Sequence, residues 1–184
     1  MPNYSIEARS FRVALAWCHN FWVLKNADLG TPIAELHGLA YDRINNTILP
    51  IGTTKDHGLR VFLFPHDAAY AASLGLAPRS TRMFWRSRAR IVHRDTDALA
   101  RWNAAVGAMP LLDRLDLTYP PFGFNVLTPT INSNSAYRTF GEIMDVPVPA
   151  FPGGFRPGLR HRMLTPGQID LARYRPGPDG SIPV

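Results

Sequence analysis

Two short stretches of this chain hold side chains suited to acyl-transfer chemistry. The first is Asn132-Ser133-Asn134-Ser135, four small polar residues in a row, shortly after Pro129. Each is a good helix N-cap, because a short side-chain oxygen accepts a bond from an unpaired amide of the first turn. Apolar residues follow at Ala136, Tyr137, Phe140, Ile143 and Met144, the spacing of one buried helix face. A helix is therefore expected to start near Ser133 or Ser135. Its first turn would set hydroxyls beside free amides and the positive dipole end, where a developing anion is stabilised. Ser133 is then a candidate nucleophile, with Asn132, Asn134 and Ser135 around the oxyanion. The same residues also satisfy a purely structural reading, as caps of a core helix.

A serine nucleophile needs a base brought from elsewhere. The second stretch supplies candidates: His19, Glu35 and His37, all in apolar surroundings. Residues 11–24 are rich in aromatic and β-branched types and read as one strand, with His19 between Trp17 and Phe21 on one face. Cys18, Asn20 and Trp22 fall on the other face, so Cys18 should point away from His19. Lys25-Asn26-Ala27-Asp28-Leu29-Gly30 is a turn, and residues 32–41 read as the returning strand of a hairpin. With position 19 opposite 37, His19, Glu35 and His37 share a face; a slip by one residue would reverse it. An imidazole oriented by a second imidazole or a carboxylate is what activates a hydroxyl. Two other readings stay open. Histidines in such strands also serve as hydrogen-bonded structural residues, and His19, Glu35 and His37 together suit a facial metal triad with open positions.

The remaining elements must hold these two stretches together. Residues 42–58 read as a loop or second hairpin, with Asn45-Asn46 and Gly52 as turn signals. Residues 59–64 form a short apolar strand, and Pro65-His66-Asp67 introduces a brief helix over 68–74 that Gly75 ends. Residues 79–94 alternate as a strand with one basic face carrying Arg86, Arg88 and Arg90. That face reads either as an anion-binding surface or as a solvated edge strand guarded by charge. Asp95-Thr96-Asp97 caps a helix running to about Ala108, and residues 111–117 extend as a second helical piece. His57, His66, His93 and His161 stand beside loops or charges with no evident partner and read as surface. Residues 1–146 form the α+β unit: an antiparallel sheet with packed helices. Residues 147–184, studded with Pro and Gly, read as an irregular tail that wraps the same domain and is disordered at its end.

Composition sets the outer bounds. The 184 residues are 46% hydrophobic and 18% charged, which places the chain among globular rather than disordered proteins. Lys and Arg exceed Asp and Glu by 20 − 14 = 6, which favours an anionic partner such as a cell-wall polymer, a membrane surface or nucleic acid. No aromatic-interleaved single-strand motif favours nucleic acid. Cys18 is the single cysteine, so neither an intrachain disulfide nor a cysteine-rich zinc site is available. No apolar run is long enough to span a membrane. Val13 to Cys18 is too short for a signal peptide, is preceded by Glu7, and continues as a strand, so no conventional export signal is expected. No cofactor motif is present.

The order of these parts resembles the circularly permuted papain-like superfamily. That group includes the PPPDE peptidases, the lecithin:retinol acyltransferase group and permuted NlpC-type enzymes. Asn132 to Ser135 is similar to the PPPDE helix start Asn-Cys-Asn-Thr. Residues 17–24 with 33–38 are similar to the superfamily's histidine strand and the strand after it. The resemblance implies Ser133 in the nucleophile position, His19 as base and His37 or Glu35 as the orienting third group. It departs in the nucleophile itself, where serine replaces cysteine. A hydroxyl is far less acidic than a thiol, so the histidine must do more of the activation. The implied activity is a hydrolase or acyltransferase, an amidase, peptidase or esterase; the basic charge fits an anionic substrate such as a peptidoglycan peptide or phospholipid, which suggests the setting of a bacterial toxin or effector. A catalytically silent binding module using the arginine face is the competing expectation.

Overall fold

The computed structural model describes residues 3–14 and 17–177. The first strands are β1 (Tyr4–Ala14), β2 (Trp17–Asn26), β3 (Pro32–Asp42), β4 (Thr47–Leu49) and β5 (His57–Pro65). Helices α1 (Ala68–Ser73) and α2 (Arg82–Trp85), strand β6 (Arg88–His93), and helices α3 (Ala98–Gly107), α4 (Met109–Asp113), α5 (Ser133–Ile143) and α6 (Pro166–Ala172) follow. The architecture is α+β. The strands form one antiparallel sheet in the order β4-β3-β2-β1-β6, with β5 also pairing β3.

Three sequence readings change. The single strand expected over 11–24 is two strands of a hairpin, with Phe11 paired to His19 across it. No glycine or proline lies between Phe11 and Phe21, so local chemistry gave no signal. The basic strand expected over 79–94 is a helical turn, α2, followed by β6, so Arg88 and Arg90 share a strand face while Arg86 caps α2. The expected irregular tail holds a capped helix, α6, in which Thr165 and Gln168 form a reciprocal capping box. The disorder expected at its end falls on residues 178–184, outside the described residues.

β3 is the axis of the sheet. β5 runs along one edge of it from Ala34 to Asp42. Along the other edge, β2 pairs only as far as Trp22↔Leu36, and β4 takes over only at Ala40↔Leu49. Between those points β2 and β3 part like a fork.

One sheet face carries the main core. α5 lies on it so closely that a Cβ on Gly38 would fall 2.3 Å from the Ala136 Cβ and one on Gly141 would fall 2.6 Å from the Trp22 ring. Only glycine permits that approach. Trp22 stacks on Tyr137 at 4.5 Å and donates its indole N–H to the Tyr137 carbonyl at 2.7 Å. A fully buried Trp needs such a partner for its N–H. The C-terminal segment crosses the start of α5, where Ser135 Oγ donates to the Gly158 carbonyl at 2.9 Å. The opposite face carries a smaller cluster of Phe21, Val23 and Phe84, flanked by Phe11 and Met83.

Candidate active site

Alternation along β2 and β3 puts His19, Phe21 and Val23 on the same face as Glu35 and His37. The observed register pairs Val23 with Glu35, which sets His37 two residues from the expected partner. An even displacement preserves the face, so the three candidates meet as the sequence reading required. His19 Nε2 lies 2.9 Å from His37 Nδ1, and His37 Nε2 lies 2.8 Å from Glu35 Oε2. The three are strung in series rather than converging on a point, and both ring nitrogens of His37 are occupied by neighbours. Among the described residues no group of His, Cys, Asp and Glu is set to hold a metal ion.

Glu35 is completely buried yet fully satisfied. His37 and the Thr81 hydroxyl donate to Oε2, the latter at 2.6 Å. The Thr81 amide donates to Oε1 at 3.0 Å, and His66 Nε2 also bonds that oxygen. Burial works against the charged form of Glu35, but the bonds from His37, His66 and Thr81 outweigh it and hold the carboxyl down at about 2. Burial presses both His19 and His37 below 6.5, and Glu35 only partly offsets this. At neutral pH the series is therefore one carboxylate and two neutral imidazoles.

That charge state fixes the protons through the network. A carboxylate only accepts, so His37 Nε2 carries a hydrogen and its Nδ1 is a lone pair. His19 Nε2–H then donates to that lone pair, and His19 Nδ1 is left as a basic lone pair. It has no hydrogen-bond partner among the described residues. Aromatic neighbours keep the series dry: His37 stacks on Phe21 at 4.3 Å and meets Phe64 edge-on at 5.4 Å.

Ser133 is the first residue of α5, as its sequence implies, and Asn132 is the N-cap. Asn132 Oδ1 accepts from the Asn134 amide at 2.9 Å, and its Nδ2 donates to the Gly123 carbonyl at 2.6 Å. Asn134 and Ser135 also spend their side chains on structure, binding β2 and the C-terminal segment. The side chains of all three form the seat of the helix, as the capping reading of this stretch expects. The Ser133 amide lies in the first turn and has no acceptor within the helix. Ser133 Oγ sits 3.5 Å from the Tyr119 hydroxyl. Burial pushes the Tyr119 phenol up, against weaker opposing bonds from the Ser133 hydroxyl and amide, so it stays protonated.

Ser133 and His19 open onto one cavity of about 360 Å³, which lies in the fork between β2 and β3. On an unbroken sheet α5 and His19 would be on opposite faces. The parting of the strands after Trp22↔Leu36 joins the two sides. Cys18 also lines this cavity, contrary to the strict alternation expected of it. Arg88 and Arg90 are exposed on the edge strand, and Arg88 donates to the Pro152 carbonyl at 3.3 Å.

The sequence did not single out three participants. His66, read as surface, has a nearly buried side chain against Glu35. Thr81 and Tyr119 reach the site from distant loops, and no local pattern marks either. No helix among the described residues is long and apolar enough to cross a membrane. No known protein family, curated protein or solved structure matches the chain.

Proposed function

We infer that the protein is a hydrolase or acyltransferase that attacks an amide or ester through Ser133. The observation that carries this reading is that Ser133 and His19 line one cavity, with His19, His37 and Glu35 joined in series behind it. His19 Nδ1 takes the Ser133 proton as Oγ adds to the carbonyl carbon. The positive charge formed on His19 is stabilised through His37 by the Glu35 carboxylate. The Ser133 amide and the Tyr119 hydroxyl, which face each other in the resting site, would turn to the developing oxyanion as its donors. His19 then returns the proton to the leaving amine or alcohol, and water or another acceptor releases the acyl group.

The chain order supports a circularly permuted papain-like arrangement: the histidine strand comes early, the nucleophile opens a late helix, and that helix packs on β2 and β3. The net charge of +6 suits an anionic substrate, and a peptidoglycan peptide or a phospholipid met by a bacterial toxin or effector is the setting we propose. The test is a fluorophosphonate, which reacts with activated serines far faster than with ordinary hydroxyls. Mass spectrometry should place the adduct on Ser133, and His19→Ala should cut its rate by 10²-fold or more, on the order expected for loss of a general base. Labelling that ignores both Ser133→Ala and His19→Ala ends this reading.

A further inference from the structure

The walls of the cavity are far more specific than its floor. Phe11, Trp17, Leu39, Ile48, Ile51 and Met83 face into it, and among the described residues no aspartate, glutamate or lysine lines it. Among the described residues Arg82 is the one permanently charged lining residue, and it is exposed. The floor is buried: Ala40 is 2% exposed, Ser133 6% and Tyr119 6%. Val13, Pro50 and Arg82 form the open rim. A peptide entering such a space would leave amides without partners, which is costly in an apolar site. A hydrocarbon chain would lose nothing and gain the burial of its methylenes.

We propose that this fork is an acyl-chain pocket and that the substrate is a short- to medium-chain carboxylic ester. The proposal rests on the Ser133 reading above and narrows it from amides and esters to one class. Ser133 Oγ bonds to the ester carbonyl carbon as its proton moves to His19 Nδ1. The C–O bond to the alcohol breaks, and the alcohol departs with the proton from His19. The acyl group, now esterified to Ser133, stays along the apolar walls until water, deprotonated by His19, releases it as a carboxylic acid. The acyl chain therefore governs specificity, and the alcohol governs it little.

Two measurements separate this from the reading it rests on. With p-nitrophenyl acetate, butyrate, hexanoate and octanoate, kcat/KM should rise about fourfold per methylene, the value of burying each one, until the cavity is full. Leu39→Trp should move the optimum to a shorter acid. Independently of catalysis, Ser133→Ala should bind the matching free carboxylates with the same dependence on chain length, read by displacement of a fluorescent fatty acid. Flat binding and flat kcat/KM, with Ser133 still labelled by fluorophosphonate, would overturn the acyl pocket and leave the nucleophile standing. Graded binding without any labelling of Ser133 would leave the pocket and overturn the hydrolase. A kcat/KM that follows the alcohol chain instead of the acyl chain would also overturn the proposal.

Discussion

Asn134 grips the backbone on both sides of His19. Its Oδ1 accepts from the Asn20 amide at 3.1 Å, and its Nδ2 donates to the Cys18 carbonyl at 3.1 Å. One side chain on the first turn of α5 thus does what a neighbouring strand would do for β2, at the place where β3 has moved away. It also fixes the start of the helix, and so Ser133, relative to the imidazole. Asn134→Asp should be worse than Asn134→Ala. The aspartate presents an oxygen to two carbonyls, Cys18 and Pro157, that now receive a donor. The alanine loses bonds worth about 1–3 kcal/mol in total, with buried groups left unpaired. Urea unfolding of both variants checks this; equal stability for Asp and Ala would show that the clasp is not made.

Glu35→Gln should silence the base without unfolding the domain. The amide can turn its nitrogen toward His37 Nε2, which then becomes an acceptor. His37 Nδ1–H would donate to His19, and the His19 hydrogen would move to Nδ1, where the lone pair is needed. Loss of the right tautomer costs about 10⁴ in the serine protease case. A fall of at least 10²-fold in fluorophosphonate labelling is expected here, with the far-UV spectrum unchanged. Labelling at the wild-type rate would show that the carboxylate does not set the protons.

What the sequence made legible was periodicity and what it concealed was contact. The α5 start, with its run of small polar residues and its apolar stripe, stood out because capping and helical spacing are local. The shared face of His19, Glu35 and His37 survived a wrong register because the displacement was two residues. The separation of β1 from β2 is not legible because no glycine or proline lies between Phe11 and Phe21. α2 was missed because Met83 to Val92 alternates well enough to imitate a strand, while Phe84 is pulled inward to cover Phe21 and Val23. Thr81, His66 and Tyr119 reach the site over separations of 46, 31 and 14 residues from their partners, and no window of sequence joins them.

Acid should weaken the fold in two stages. His19 and His37 have folded pKa values below 6.5, so the unfolded chain binds more protons than the folded one once pH falls under 6.5. Stability then declines with falling pH, by about 1.4 kcal/mol per pH unit for each imidazole that stays neutral. Glu35 adds a second decline between its ordinary 4.5 and about 2, because its folded form holds the carboxylate until then. Urea midpoints measured from pH ~7.5 to ~5 should therefore fall, and His37→Phe should show a shallower slope than wild type. A midpoint that is flat across this range would mean that the two imidazoles titrate alike in the folded and unfolded chain.

Ser133→Cys, in a Cys18→Ala background, tests the site most directly. Asn132 is the N-cap, so Ser133 has little capping work, and its one side-chain bond is the long contact with Tyr119. Ser133→Ala should therefore change stability by less than about 0.5 kcal/mol, whereas Asn132→Ala should cost about 1 kcal/mol or more. A small change for Ser133→Ala beside a large one for Asn132→Ala would be what the proposed chemical role predicts, since Ser133 is buried and shares its cavity with His19. A thiol there should be acidic, because the helix dipole and a protonated His19 both favour the thiolate. Iodoacetamide at neutral pH should modify it faster than an ordinary exposed cysteine, and His19→Ala should slow the reaction. Glu35→Gln should slow it too, since the same series of bonds keeps His19 Nδ1 free to take the proton. If the rate is the same with and without His19, Ser133 and His19 are neighbours in a cavity and nothing more.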